Sequence, residues 1–164
     1  MFAQLYFPLK LTAALGCGLI AGVFFAFSTF VMQALAQQPP AQGIATMQSI
    51  NITVINPWFM AAFLGTSVVC LVLIVFSLLN WQQPIAVYLL IAALLYLIGC
   101  FGVAIVFNVP LNNALAAANP NSKEGVELWS KYLTNWMFWN HIRTIAAFIA
   151  AALFTMVSKA PLRM

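Results

Sequence analysis

Four stretches of the chain, about residues 11–35, 57–79, 85–107 and 136–157, are apolar at nearly every position, and polar residues collect between them. A run of about 20 apolar residues is what an α-helix needs to cross a hydrocarbon core of about 30 Å. The pattern predicts an all-α integral membrane protein, a left-handed antiparallel four-helix bundle that forms a single domain over residues 1–164. Pro57 suits the first turn of the second helix, where its missing N–H has no partner to lose. The tight connection from Asn80 to Pro84 makes the second and third spans a hairpin. Two longer connections remain. Residues 36–56 contain Pro39-Pro40 and then a short helix over 44–54, and residues 108–135 contain the turn Asn119-Pro120-Asn121 and a short helix over 122–134. Ser122 is placed to cap that second helix, with Glu124 in its first turn. Trp129, Tyr132 and Trp136 are the aromatics expected at a membrane–water boundary. The two short helices are expected to lie at the interface and cap one end of the bundle.

Composition agrees. Of 164 residues, 65% are hydrophobic and 5% charged, against about 25% charged in soluble domains. The net charge of +4 is no sign of nucleic-acid binding once its parts are placed. Lys10, Lys159 and Arg163 flank spans near the termini, Lys123 and Lys131 share a loop with Glu124 and Glu127, and only Arg143 sits inside a run. By the positive-inside rule both termini are expected in the cytoplasm, at a plasma or inner membrane. Cys17, Cys70 and Cys100 occupy three different runs with no CxxC spacing, and they read as buried free thiols. The first run follows Lys10 and ends Ala34-Leu35-Ala36, as a signal peptide would, but it exceeds the apolar core of about 7–15 residues that such peptides have. It is read as a retained span. Its small face of Gly16, Gly18, Ala21 and Gly22 fits close packing within the bundle or a homodimer.

The polar residues near the spans then fall at one level. Asn56 opens the second span, Asn108 and Asn112 close the third, and Asn140, His141 and Arg143 occupy the first two turns of the fourth. Gln48 and Asn51 are three apart in the short helix before them, hence on one face. Each has a structural reading: Arg143 snorkelling to headgroups, His141 as a hydrogen-bonded packing residue, the amides as helix caps. Their joint occurrence exceeds what capping requires, and an ionisable residue at membrane depth marks a functional site or a partner. One histidine and scattered cysteines do not make a metal site. A pocket without a cofactor, for a flat or anionic organic molecule, fits better. His141 is its titratable base, and Arg143 with the amides would stabilise an oxyanion.

Several short motifs resemble those of the anthrone oxygenase-like family of four-span membrane proteins, formerly a domain of unknown function. They are Gly22-Val23-Phe24-Phe25-Ala26-Phe27-Ser28, Met47-Gln48 with Asn51, Asn56-Pro57 with Phe59, and Asn108-Val109-Pro110-Leu111-Asn112. Trp129, Tyr132, Trp136 and Trp139-Asn140-His141-Ile142-Arg143-Thr144 complete the resemblance, which runs over nearly the whole chain. Some fungal members oxidise polyketide anthrones to anthraquinones with molecular oxygen and no evident metal or flavin. The resemblance implies a cofactor-independent oxygenase acting on a hydrophobic, enolisable aromatic. His141 would take the proton from the carbon between the rings, Arg143, Asn108 and Asn140 would hold the oxyanion, and Trp129 and Trp136 would stack on the rings. The alternative is a membrane protein that binds a quinone or lipid headgroup, or a purely structural bundle. A transporter fits less well, since the polar groups lie toward one face only. The expected partners are the bilayer and a hydrophobic small molecule.

Overall fold

The computed structural model describes residues 2–158, with side chains from Tyr6 onward. Lys159 and Arg163, two of the expected topology markers, lie outside the described residues. Five helical segments make up the fold. Helix α1 covers residues 2–36, as an α-helix over Phe2–Ala26, a π-helical stretch over Phe27–Val31 and α-helix again over Met32–Ala36. Helix α2 is Pro40–Thr53, α3 is Pro57–Leu79, α4 is Pro84–Ala116 and α5 is Lys123–Val157. The fold is all-α. Helices α1, α3, α4 and α5 are each long and apolar enough to cross a membrane, so the chain is an integral membrane protein. Their outward faces carry large apolar side chains such as Leu15, Val68, Ile98 and Phe148, as a lipid-facing surface should.

The core is small-residue packing between α1 and α5, with α3 and α4 leaning on it. Ala13, Cys17, Ile20 and Ala21 of α1 meet Ala147, Ala150 and Phe154 of α5, and Leu73, Leu89 and Tyr96 fill the rest. The three cysteines are free and fully buried within this core. Gly16 lies against Thr66 of α3, where a Cβ would collide with the threonine hydroxyl. Gly18 and Gly22 face open space. The small face of α1 is therefore split between two directions.

Several elements differ from the sequence expectations. Helix α1 begins at Phe2 and not near residue 11, so Lys10 is inside the helix and 1% exposed. It donates from Nζ to Val157 O at 2.9 Å, with Nζ 4.4 Å from the centre of the Tyr6 ring. A cation at the carbonyl end of α5 is a favourable pairing with the helix dipole. The separate short helix expected over 122–134 is absent, because α5 runs without a break from Lys123 to Val157. Nothing between Thr134 and Trp136 interrupts the helix: there is no Gly or Pro, and the ladder simply continues. Its start is as expected, with Ser122 Oγ accepting from Gly125 N at 3.0 Å and Glu124 in the first turn. The other interfacial helix, α2, starts at Pro40, which serves as its first-turn proline.

Helix α4 continues past residue 107 to Ala116 and carries two π-helical stretches, Leu95–Gly102 and Ala104–Asn108. They end just before Pro110, which has no N–H for the ladder. Such π-turns inside α-helices occur frequently at functional sites. Here the stretches in α1 and α4 both lie in the half of the bundle that carries the long connections.

Helix α2 covers that end. Ile44 and Met47 bury against Met32, Leu35, Leu115, Trp129, Tyr132 and Trp136. Gly43 permits the approach, since a Cβ there would sit 3.0 Å from both Leu35 O and the Trp129 ring.

Candidate functional site

Beneath α2 lies a cavity of about 370 Å³, walled by all five helices. That size falls in the range of about 300–1,000 Å³ found for small-molecule sites. Its walls are largely apolar: Phe24 and Phe27 of α1, Met47 and Ile50 of α2, Phe59 and Phe63 of α3, Phe101 and Ile105 of α4, and Trp136 of α5. The polar lining is Asn51, Asn112 and Arg143.

Arg143 sets the electrostatics. Its side chain is 5% exposed, and its guanidinium carbon lies 4.1 Å from the centre of the Phe24 ring and 5.2 Å from that of Trp136. One terminal nitrogen donates to Asn140 Oδ1 at 2.7 Å, while Nε is buried without a hydrogen-bond partner. The chain has two acidic residues, Glu124 and Glu127. The nearer, Glu127, is sixteen residues back along α5, about 24 Å by helix rise. The cation is therefore held by aromatic faces and one amide. A buried charge without a counter-ion is costly, and the cost falls when an anionic atom enters the cavity.

The Asn140 amide fixes this geometry. Its Nδ2 donates to Phe24 O at 2.8 Å and to Ser28 Oγ at 2.7 Å. Thr144 Oγ1, which donates to Asn140 O at 2.7 Å, also shares a hydrogen bond of 3.1 Å with Ser28 Oγ. Phe24 precedes the π-helical stretch of α1. A π-turn shifts the i→i+4 ladder by one residue. Phe24 O and Phe25 O both accept side-chain donors there, Asn140 in one case and Thr29 Oγ1 at 2.7 Å in the other.

The remaining sequence candidates divide by function. Asn112 Oδ1 accepts from Tyr132 OH and Trp136 Nε1, both at 2.8 Å, and so joins the end of α4 to α5 at the cavity wall. Asn51 presents a buried Nδ2 with no partner at the same cavity. Asn108 donates to Trp136 O at 3.1 Å and ties α4 to α5, its Oδ1 buried and unpaired. Gln48 donates to Leu115 O at 2.8 Å and Ala118 O at 3.1 Å, which ties α2 to the end of α4. Asn56 caps α3, its Oδ1 accepting from Trp58 N and Phe59 N at 3.1 and 3.0 Å. Trp129 stacks on Tyr132 with ring centres 5.6 Å apart, inside the apolar contact below Gly43, and is not a cavity wall.

His141 is half-buried and absent from the cavity wall. The reason is helical phase. At about 100° per residue it points about 100° from Asn140 and about 160° from Arg143. The buried face of α5 includes Trp129, Tyr132, Trp136, Asn140, Arg143, Ala147, Ala150, Phe154 and Val157, each three or four residues after the last. His141 is outside that stripe. The stripe is legible in the sequence and would have separated the two residues. It would also have singled out Tyr132, and the cavity adds Phe24, Phe27 and Phe63, whose apolar character gives no chemical signal.

Among the described residues no three His, Cys, Asp or Glu side chains come together. The site as built can do one thing well: hold a flat apolar body between aromatic walls while presenting Arg143 and Asn51 donors to a negatively polarised oxygen.

Comparison with curated proteins and with solved structures finds no match. The sequence model described as anthrone oxygenase matches residues 58–153, more than half of the chain and a stretch that includes Arg143, Asn112 and Trp136. With that match over α3, α4 and most of α5, the chain belongs to the anthrone oxygenase family.

Proposed function

We propose that this protein is a membrane-embedded oxygenase acting on a hydrophobic, enolisable aromatic of the anthrone type, bound in the cavity beneath α2. The observation that carries this reading is Arg143, a buried cation with an unpaired Nε at the wall of an apolar, aromatic-lined space. A carbonyl compound with an acidic ring CH₂ loses a proton when its enolate oxygen is stabilised, and a guanidinium in an apolar-walled cavity is a strong stabiliser. Asn51 Nδ2 is a second donor for the same oxygen. Among the described residues, those that wall the cavity include no Asp, Glu, His, Lys, Tyr or Cys. Arg143 therefore acts by raising the acidity of the substrate, and the proton goes to water. The enolate carbon then gives its electrons to molecular oxygen, and CH₂ plus O₂ becomes C=O plus H₂O. Family membership supports the class of substrate. The basic residues Lys159 and Arg163 support cytoplasmic termini, which puts the cavity at the opposite leaflet.

Oxygen uptake by the protein reconstituted in nanodiscs with anthrone tests the reading. Uptake above the protein-free rate is expected, with Arg143→Gln lowering kcat by about 10²–10³, the usual cost of losing an oxyanion donor. Stoichiometric anthrone binding without uptake would favour a binding protein, and the absence of both would reject the proposal.

A further inference from the structure

We propose that the ligand of this cavity enters and leaves sideways, from the acyl-chain region of the bilayer, through a gap between α3 and α4. The inference rests on the reading of the cavity as a site for a hydrophobic molecule, and does not depend on the reaction.

Three observations carry it. Helix α3 packs along residues 84–102 of α4 and parts from residues 104–116, so the two helices diverge toward the cavity end. Four cavity-wall residues on the two sides of that divergence are also open to the exterior: Leu64 is 42% exposed, Ile105 51%, Val109 44%, and Ile55, just before α3, 71%. A side chain that lines a cavity and the outer surface together marks its mouth. Leu64 is seven residues into α3, about 10 Å below its start by helix rise. The mouth therefore reaches down into hydrocarbon depth.

The opposite route, through the loop-bearing end, is covered by a helix. Helix α2 lies across it with Met47 1% exposed, and Gln48 fastens it to the carbonyls of Leu115 and Ala118. The mouth is apolar on both sides, which suits a molecule already dissolved in lipid and excludes a hydrated one.

A cysteine at Val23, a half-buried cavity-wall residue on α1, reports the route in the full chain in nanodiscs. The native thiols are fully buried, and the parent protein sets their background. Val23→Cys should react readily with lipid-dissolved pyrenylmaleimide and poorly with a water-borne trimethylammonium methanethiosulfonate. Leu64→Trp with Ile105→Trp should slow the pyrenylmaleimide reaction by about tenfold or more. Leu64→Ala with Ile105→Ala should speed it, which keeps the test informative if the bulky pair fails to fold. Equal labelling by the charged reagent, rates indifferent to the mouth substitutions, or no labelling by either reagent would each overturn the proposal. None of these outcomes uses anthrone, so failure of the route and failure of the enzymatic reading are separate results.

Discussion

Arg143 donates to Asn140 Oδ1 at 2.7 Å, one turn back along the same helix. The amide is fixed in turn by Phe24 O and Ser28 on α1. The cation is thus oriented by a neutral group that leaves its charge unspent. Had a carboxylate taken that place, the charge would be satisfied internally and an anionic ligand would gain little.

That distinction predicts a dissociation between stability and activity. Arg143→Met removes a buried charge that has no counter-ion, a change that is often neutral or stabilising, and it leaves Asn140 Oδ1 unpaired at a cost of about 1–3 kcal/mol. The net change in unfolding free energy is expected to stay below about 2 kcal/mol while turnover is lost. Thermal unfolding in detergent alongside oxygen uptake checks both. A large destabilisation with ligand binding retained would make Arg143 a structural residue.

His141→Ala is expected to change kcat by less than about threefold, well short of the 10²–10⁴ that general-base removal costs. The ring is on the wrong side of α5 from Arg143. A loss of two decades or more would bring His141 back as the base and would require α5 to rotate on ligand binding.

Asn140→Ala takes donors from Phe24 O and Ser28 and the acceptor from Arg143. A loss of about 1–3 kcal/mol is expected from the orphaned groups, together with weaker anthrone binding. Asn140→Asp is the informative partner. It supplies the missing carboxylate, so it should hold Arg143 firmly yet still abolish ligand affinity. Calorimetric titration with anthrone measures both variants.

The two directions of the α1 glycines give a packing test. Gly16→Ala forces α1 away from Thr66, an overpacking that costs about 1–3 kcal/mol. Gly22→Ala meets no atom within 4 Å and should be neutral or gain up to about 1 kcal/mol of helix propensity. Equal effects at the two positions would contradict the packing of α1 described above.

The spans and the polar end of the bundle could be read from the chain because run length and polarity are local properties. Asn51, Asn112, Trp136 and Arg143 do meet at one cavity. Level in the membrane, however, fixes only one coordinate of a side chain, and the other is helical phase. Gln48, Asn56 and Trp129 belong to the same end of the bundle as that cavity but are spent on holding the cap and starting α3. The π-helical stretches were not legible, since a one-residue shift in a hydrogen-bond ladder leaves no mark in composition. Lys10 misled for a related reason. A lysine near the end of an apolar run reads as a boundary, although its long stem lets it reach the carbonyls of a neighbouring helix from within the span.

Helix α5 is 35 residues long, about 52 Å by helix rise, where about 30 Å would cross the hydrocarbon. Its first third supports α2 through Trp129 and Tyr132, and its middle carries Asn140 and Arg143. Because the rod is unbroken, its parts share one angular setting, like wards on a single key. One residue inserted between Tyr132 and Trp136 would turn the upper aromatics by about 100° against the cation below. An added residue in the turn before Ser122 would leave that phase untouched, whereas one between Trp129 and Arg143 would set the cap and the cation against each other.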